Sequence, residues 1–315
     1  MISRRICGIL VLMRCAKRGM FLEKKGTLLK GYIMVITSAV IFGCMPLIAK
    51  GMYADGMNAI SVVMCRNLLS LPMLGILGWR QNRSLKISSK TLPPVFCLAV
   101  LGPLATPLLL FSSYQYISSG TATVFHFVYP AMVILLGALL LKRKSSHKQL
   151  LCVVLCVVGI VLFCDPRQKI DLLGSGLALL SGLAYAGYIL LLSVFKHKRV
   201  SGFQLSFYVS AISAVILLII CLAGNMRTLP KTVTGWFCAL VMAVVINGGA
   251  MVLFQQGTFL IGGERASILS TFEPITGVVV GILVFGEPVG PVMLLGTALV
   301  ILASVLIAVF DMKKG

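Results

Sequence analysis

The sequence predicts an all-α integral membrane protein: ten transmembrane helices as two inverted five-helix repeats. Three observations predict it. The 315 residues are 59% hydrophobic and only 11% charged, whereas soluble domains carry roughly 25% charged residues. The basic residues fall in alternate gaps between apolar segments. The two halves match at a nearly constant offset.

A spanning helix needs about 20 apolar residues. Apolar windows give ten spans: residues 31–51, 58–79, 93–116, 119–141, 148–164, 174–195, 203–223, 234–257, 263–285 and 291–310. The links between the third and fourth and between the eighth and ninth spans are very short, so those divisions rest on length: the run from Pro93 to Leu141 is too long for one crossing. The organisation is therefore a basic tail (1–30), a first repeat (31–164), a second repeat (174–310) and a short tail (311–315). The apolar run of the first tail, Ile6 to Met13, ends at Arg14 with no small-residue cleavage site, unlike a secretory signal. Met13 and Met20 are alternative starts, so residues 1–20 carry little weight.

Net charge is +20, from 28 Lys and Arg against 8 Asp and Glu. Nucleic-acid binding is one meaning of such a balance, but the charge follows the spans. With the N-terminus inside, 22 basic residues lie on that side, five lie opposite (Lys50, Arg167, Lys169, Arg227, Lys231), and Arg66 lies within the second span. That is the positive-inside pattern. It predicts a plasma-membrane protein with both termini cytoplasmic, anionic lipid beside the basic tail, and no nucleic-acid partner. The ten cysteines include no C-x-x-C and no Cys/His cluster with metal spacing, so they read as small apolar residues; no metal or cofactor is expected.

The first span aligns with the sixth at an offset of 143: Gly31/Gly174, Ser38/Ser181, Phe42/Tyr185 and Leu47/Leu190. Phe111/Phe254 share that offset, and Ala122/Ala266, Pro130/Pro274, Gly137/Gly281 and Leu139/Leu283 match at 144. Five spans per unit start the second unit on the opposite side, so the copies are inverted. Inverted repeats are common in secondary transporters, whose sites lie near the midplane between them.

The stretch ASILSTFEPITGVVVGILVFGEPVGPVMLLGTALVILASVLIAV (266–309) and the first-span segment SAVIFGCMPLIAK (38–50) resemble the EamA family of the drug/metabolite transporter superfamily. The resemblance rests on Glu273-Pro274 within a small-residue helix, Gly286-Glu287 at its end, Gly296 in the last helix, Phe42-Gly43, and Arg66 in the second span. It implies export or exchange of amino acids, related metabolites or drugs. The first half departs from the pattern: Tyr129 stands opposite Glu273 and Arg143 opposite Glu287, so the site is not symmetric in acid.

Ionisable groups within the bilayer mark a pathway by default. Arg66, His126 and Glu273 are the three here. Ser267, Ser270 and Glu273 share one helix face at i, i+3 spacing. His126 is the repeat partner of Ser270, and Tyr129 that of Glu273, so these four are expected to converge. Arg66 has three readings: a fork for a substrate carboxylate, a side chain snorkelling outward, or a partner of a backbone carbonyl. Asn67 projects elsewhere and reads as packing. Phe42, Tyr185 and Asn247 complete the candidate substrate-binding set; Glu273 and His126 are the candidates for proton coupling. Tyr114 and Tyr116 read as interface residues. Gly277-x-x-x-Gly281 suits close helix packing, within a monomer or between two copies. Pro46, Pro103, Pro107, Pro130 and Pro274 interrupt helices.

No ATP-binding loop, zinc-protease helix or nucleophile elbow occurs, so no enzyme is expected. One cation and one anion in an otherwise neutral aromatic setting suit a zwitterion. The leading expectation is thus a secondary transporter exporting amino acids or similar metabolites. The competing ones are a non-transporting scaffold or sensor partner, or a transporter of sugars, organic cations or drugs.

Overall fold

The computed structural model describes residues 26–142, 171–195, 200–224, 229–270, 272–285 and 290–312, with isolated positions between 151 and 159. Most of the fifth predicted span, both basic tails beyond these limits, Arg143, Gly286 and Glu287 lie outside the described residues. Everything regular within them is helical.

Seven spans among the described residues are long and apolar enough to cross a membrane. These are α1 (Gly26–Ala54), α2 (Ala59–Asn82), α3 (Ser89–Ser113), the pair α4 (Ser119–His126) and α5 (Tyr129–Leu141), α6 (Leu172–Val194), α7 (Gly202–Ala223) and α8 (Val233–Ile261). They are followed by α9 (Gly263–Leu269), α10 (Phe272–Phe285) and α11 (Pro291–Met312). At about 1.5 Å per residue, 22 to 29 residues exceed the ~30 Å hydrocarbon core. Helix α1 is described from Gly26, and its helical turns already include Gly26 to Lys30, ahead of the expected 31.

Local sequence sets the helix starts. Asn58 accepts from Ser61 N, Ser118 from Thr121 N, Asp171 from Gly174 N, and Thr232 from Gly235 N. Ser201 and Gln204 form a reciprocal capping box at α7. Each cap satisfies N–H groups that a helix leaves without an internal acceptor.

Prolines set several irregularities. Pro46 follows a turn at Cys44 in α1. In α3, residues Val100–Ala105 widen to a π-helical turn around Pro103; in α8 residues Met242–Ala250 also form π-helical turns, there without a proline. Pro103 and Pro107 lack N–H groups, which orphans the carbonyls four residues earlier, Ala99 and Pro103. Other helices approach both: Asn67 Nδ2 of α2 donates to Pro103 O at 3.1 Å, and Ser213 Oγ of α7 shares its single proton between Val209 O of its own helix at 2.8 Å and Ala99 O at 3.1 Å. Asn67 is thus a packing residue, as expected.

Helices α2 and α7 pack along each other at the centre, and their ends are tied where Asn82 Nδ2 donates to Gln204 Oε1 at 2.8 Å. Helix α1 runs antiparallel to α8, touching it at Gly31–Ile261, Ser38–Ala250 and Gly51–Cys238. Helix α6 packs on α3 through Tyr188–Gly102, and its Gly174 meets Tyr116 in the link just after α3. Two glycines allow backbone approach near the midpoint. A Cβ at Gly43 of α1 would stand 2.6 Å from Glu273 O of α10, and one at Gly182 of α6 would stand 2.5 Å from His126 O of α4.

Candidate functional site

A cavity opens between α1, α2, α3, α4, α6, α8 and α10. Its walls are Phe42 and Met45 from α1, Arg66 from α2, Gly102, Thr106, Pro107 and Leu110 from α3, His126, Tyr185, Met251 and Glu273. It holds about 420 Å³ of empty space counted out to its mouth. That lies at the lower end of small-molecule pockets and has room for a few waters or a small metabolite.

Five of the eight sequence-derived candidates line this cavity: Phe42, Arg66, His126, Tyr185 and Glu273. Tyr129 stands one layer behind. Its ring packs edge-on to Tyr185 at 4.7 Å and lies 5.4 Å from His126. Its buried hydroxyl faces Ser270 without a hydrogen bond of good geometry. Ser270 is buried and donates to Ala266 O at 2.9 Å. Asn247 is fully buried behind Arg66.

Arg66 is only 4% exposed, which excludes the snorkelling reading. Its Nε donates to Asn247 Oδ1 at 3.2 Å and its Nη1 to Met45 Sδ at 3.6 Å. An amide oxygen is a good neutral acceptor; a thioether is a weak one. Among the described residues neither partner carries a charge, so the guanidinium is not neutralised where it is held. The Glu273 carboxyl lines the same cavity. A buried charge normally needs a counter-charge, and here the two stand in one chamber without pairing.

His126 Nδ1 lies 2.8 Å from Ser181 Oγ, and that hydroxyl donates to Ala178 O at 2.6 Å. Since the serine proton is committed to the carbonyl, Nδ1 must donate. That assigns the Nδ1–H tautomer to the neutral ring and leaves Nε2 as an acceptor.

Two expectations need correction. Ser267, Ser270 and Glu273 do not lie on one unbroken helix: α9 ends at Leu269 and α10 begins at Phe272. Pro274 removes the N–H that would bond Ser270 O, and Glu273 N takes that carbonyl instead at 2.9 Å. The same break occurs between His126 and Tyr129, ahead of Pro130. Tyr114 is not an interface residue, because its hydroxyl is buried. Tyr116 is 45% exposed, as an interface position requires.

Met45, Met251, Thr106, Pro107, Leu110 and Gly102 are cavity residues that sequence reasoning did not select. For α3 the available signal was the closely spaced Pro103 and Pro107. The two methionines carried none beyond hydrophobicity.

The profile of the EamA-like transporter family matches this chain twice, over residues 29–164 and 172–309. An uncharacterized transporter of Bacillus subtilis, YcbK, is 26% identical over 287 residues, spanning 84% of this chain and 88% of that protein. An uncharacterized transporter of Helicobacter pylori is 27% identical over 302 residues, 92% of this chain and 98% of its own. A solved crystal structure superposes with a TM-score of 0.70 at 11% identity, covering 90% of this chain and 98% of that one.

Proposed function

This chain belongs to the EamA-like transporter family and is a multi-pass membrane transporter, and from that premise we propose that it is a secondary transporter exporting amino acids or similar small metabolites across the plasma membrane by alternating access. The observation that carries the reading is the pair Arg66 and Glu273. They line one buried cavity, and the protein partners of Arg66 are neutral. A zwitterion supplies both missing counter-charges, its carboxylate on the Arg66 fork and its ammonium on Glu273. Phe42 and Tyr185 offer it aromatic walls, while Tyr129, Ser270 and Asn247 hold the lining from behind.

The reading includes ten helices as two inverted repeats, with residues 148–164 as the fifth span and both termini cytoplasmic. Paired irregularities support it. The π-helical turns at Val100–Ala105 and Met242–Ala250 begin about one repeat offset apart. The breaks after His126 and after Leu269 also correspond. Contacts exchange between halves as well: α1 meets α8 and α10, as α6 meets α3 and α4. Broken helices at a repeat interface are where transporters hold substrate, since exposed helix ends and freed carbonyls are tolerated there. Proton coupling through Glu273, with His126 beside it, belongs to the same proposal.

The test is efflux of labelled amino acids from proteoliposomes, with sugars and organic cations as the comparison panel. Saturable amino-acid flux is expected. Flux of sugars or organic cations alone overturns the substrate assignment; no flux of any solute overturns the transport mechanism.

A further inference from the structure

We infer that Asn247 is the positioning residue that makes Arg66 a receptor for the substrate's carboxylate, and that its being an amide rather than an acid is a specificity determinant. The inference rests on the zwitterion reading above.

The orientation of the Asn247 amide is fixed from both ends. Arg66 has only donors, so the atom facing its Nε at 3.2 Å must be the amide oxygen. On the other side the amide nitrogen stands 2.9 Å from Ser70 Oγ and 3.0 Å from Ser210 Oγ. Ser70 already donates its proton to Asn67 O at 2.8 Å, so towards Asn247 it can only accept. An NH2 group is therefore required there. All four side chains are buried, so water does not relax these demands.

The π-helical turn Met242–Ala250 carries Asn247. A π turn inserts one residue and so rotates the later turns of the helix relative to the earlier ones. Beside Asn247, Gly248 lets α8 close onto Met73 of α2. The amide is thus delivered to the α2 backbone, where it also reaches Arg66 O at 3.4 Å.

Chemically, the clamp orients the guanidinium without cancelling its charge. Nε is engaged, Nη1 rests on a thioether, and the remaining donors belong to a group that lines the cavity. An aspartate at 247 would be nearly the same size but would form an internal ion pair with Arg66. It would also set an acceptor against Ser70. The receptor would then be occupied by the protein itself.

The experiment measures transport by wild type, Asn247→Asp and Ser210→Ala in proteoliposomes, using each labelled neutral amino acid and its α-amide. Wild type should prefer the acid. Asn247→Asp should raise KM for the acid by at least about tenfold, the scale of a lost charge-assisted contact, and leave KM for the amide unchanged or lower. A merely structural defect would weaken both alike. Ser210→Ala removes one acceptor of the amide nitrogen and keeps every charge; a few-fold rise in KM for the acid alone is expected, which keeps the test open should the aspartate variant fail to fold. An acid-to-amide preference unchanged in the variants overturns the role of Asn247 alone. A wild type that moves no amino acid overturns the zwitterion reading and this inference with it, and that outcome appears before any variant is compared.

Discussion

The seam between α1 and α8 can be tested with one substitution, because Cys238 is already in place. A Cβ added at Gly51 lies 4.0 Å from Cys238 Cβ and 2.9 Å from its Sγ. Disulfides have Cβ–Cβ separations of about 3.5–4.5 Å, so Gly51→Cys should cross-link under mild oxidation without moving either backbone. The seam it would lock is already continuous. At one end a Cβ on Gly257 would meet Gly31 O at 3.0 Å; midway Ser38 Oγ donates to Ala250 O at 2.7 Å; at the other end Asp55 Oδ2 accepts from Lys231 N at 2.6 Å. Over about 24 residues that is roughly 36 Å of contact. A contact closed at both ends and in the middle is the seam of one rigid body, so the gates must open elsewhere. The oxidised variant should therefore transport within about twofold of its own reduced form. Closing a loop of about 190 residues restricts the unfolded chain by roughly 5 kcal/mol on the entropic account, so its melting temperature should rise. Efflux assays before and after reductant, with Gly51→Cys/Cys238→Ser as control, decide it. Loss of transport on oxidation and recovery on reduction would refute the rigid seam.

Three further outcomes are expected. Glu273→Gln should abolish the response of transport to an imposed pH gradient while leaving counterflow exchange measurable; an undiminished gradient response removes Glu273 from coupling. Gly182→Ala presses a methyl group on the His126 carbonyl at 2.5 Å, an overpacking that costs about 1–3 kcal/mol, and should lower the melting temperature more than Gly176→Ala, where a Cβ meets nothing within 4 Å. Asp55 lies outside the spans. The Thr232 hydroxyl above all, then the N–H groups of Lys231 and Thr232 and the Lys231 charge, hold its carboxyl below its ordinary 3.8. A depressed carboxyl stabilises the fold above its unfolded value and loses that contribution as pH falls through the folded value. Thermal melts should therefore drop below about pH 4 in wild type, with a flatter profile in Asp55→Asn; identical acid profiles would show the contact to be idle.

Hydropathy and caps carried most of the secondary structure. Apart from the fifth, the predicted spans fall on described helices to within a few residues, the fourth and ninth each divided in two, since apolar length and polar N-caps such as Asn58 and Asp171 act locally. Arg66 and Glu273 were legible for a similar reason: an ionisable residue within an apolar run stands out in one dimension. Asn247 was legible as a polar residue but not in its task, which depends on Ser70 and Ser210 from two other helices. Met45 and Met251 were invisible, because nothing distinguishes a methionine facing a cavity from one facing a neighbour.

The sequence alone determined that this chain is a multi-pass membrane protein, which segments are apolar enough to serve as spans, and that a few ionisable groups lie among them. Those properties derive from the cost of exposing polar groups to hydrocarbon, summed along the chain. Only the tertiary structure decided where the helices widen or break and what each buried group meets. Pro103 and Pro107 announce orphaned carbonyls, but the groups that reach them, Asn67 outright and Ser213 with a proton shared with Val209 O, sit on other helices. Which carbonyl finds which donor is fixed by packing between helices, and that same packing brings Arg66 and Glu273 into one chamber.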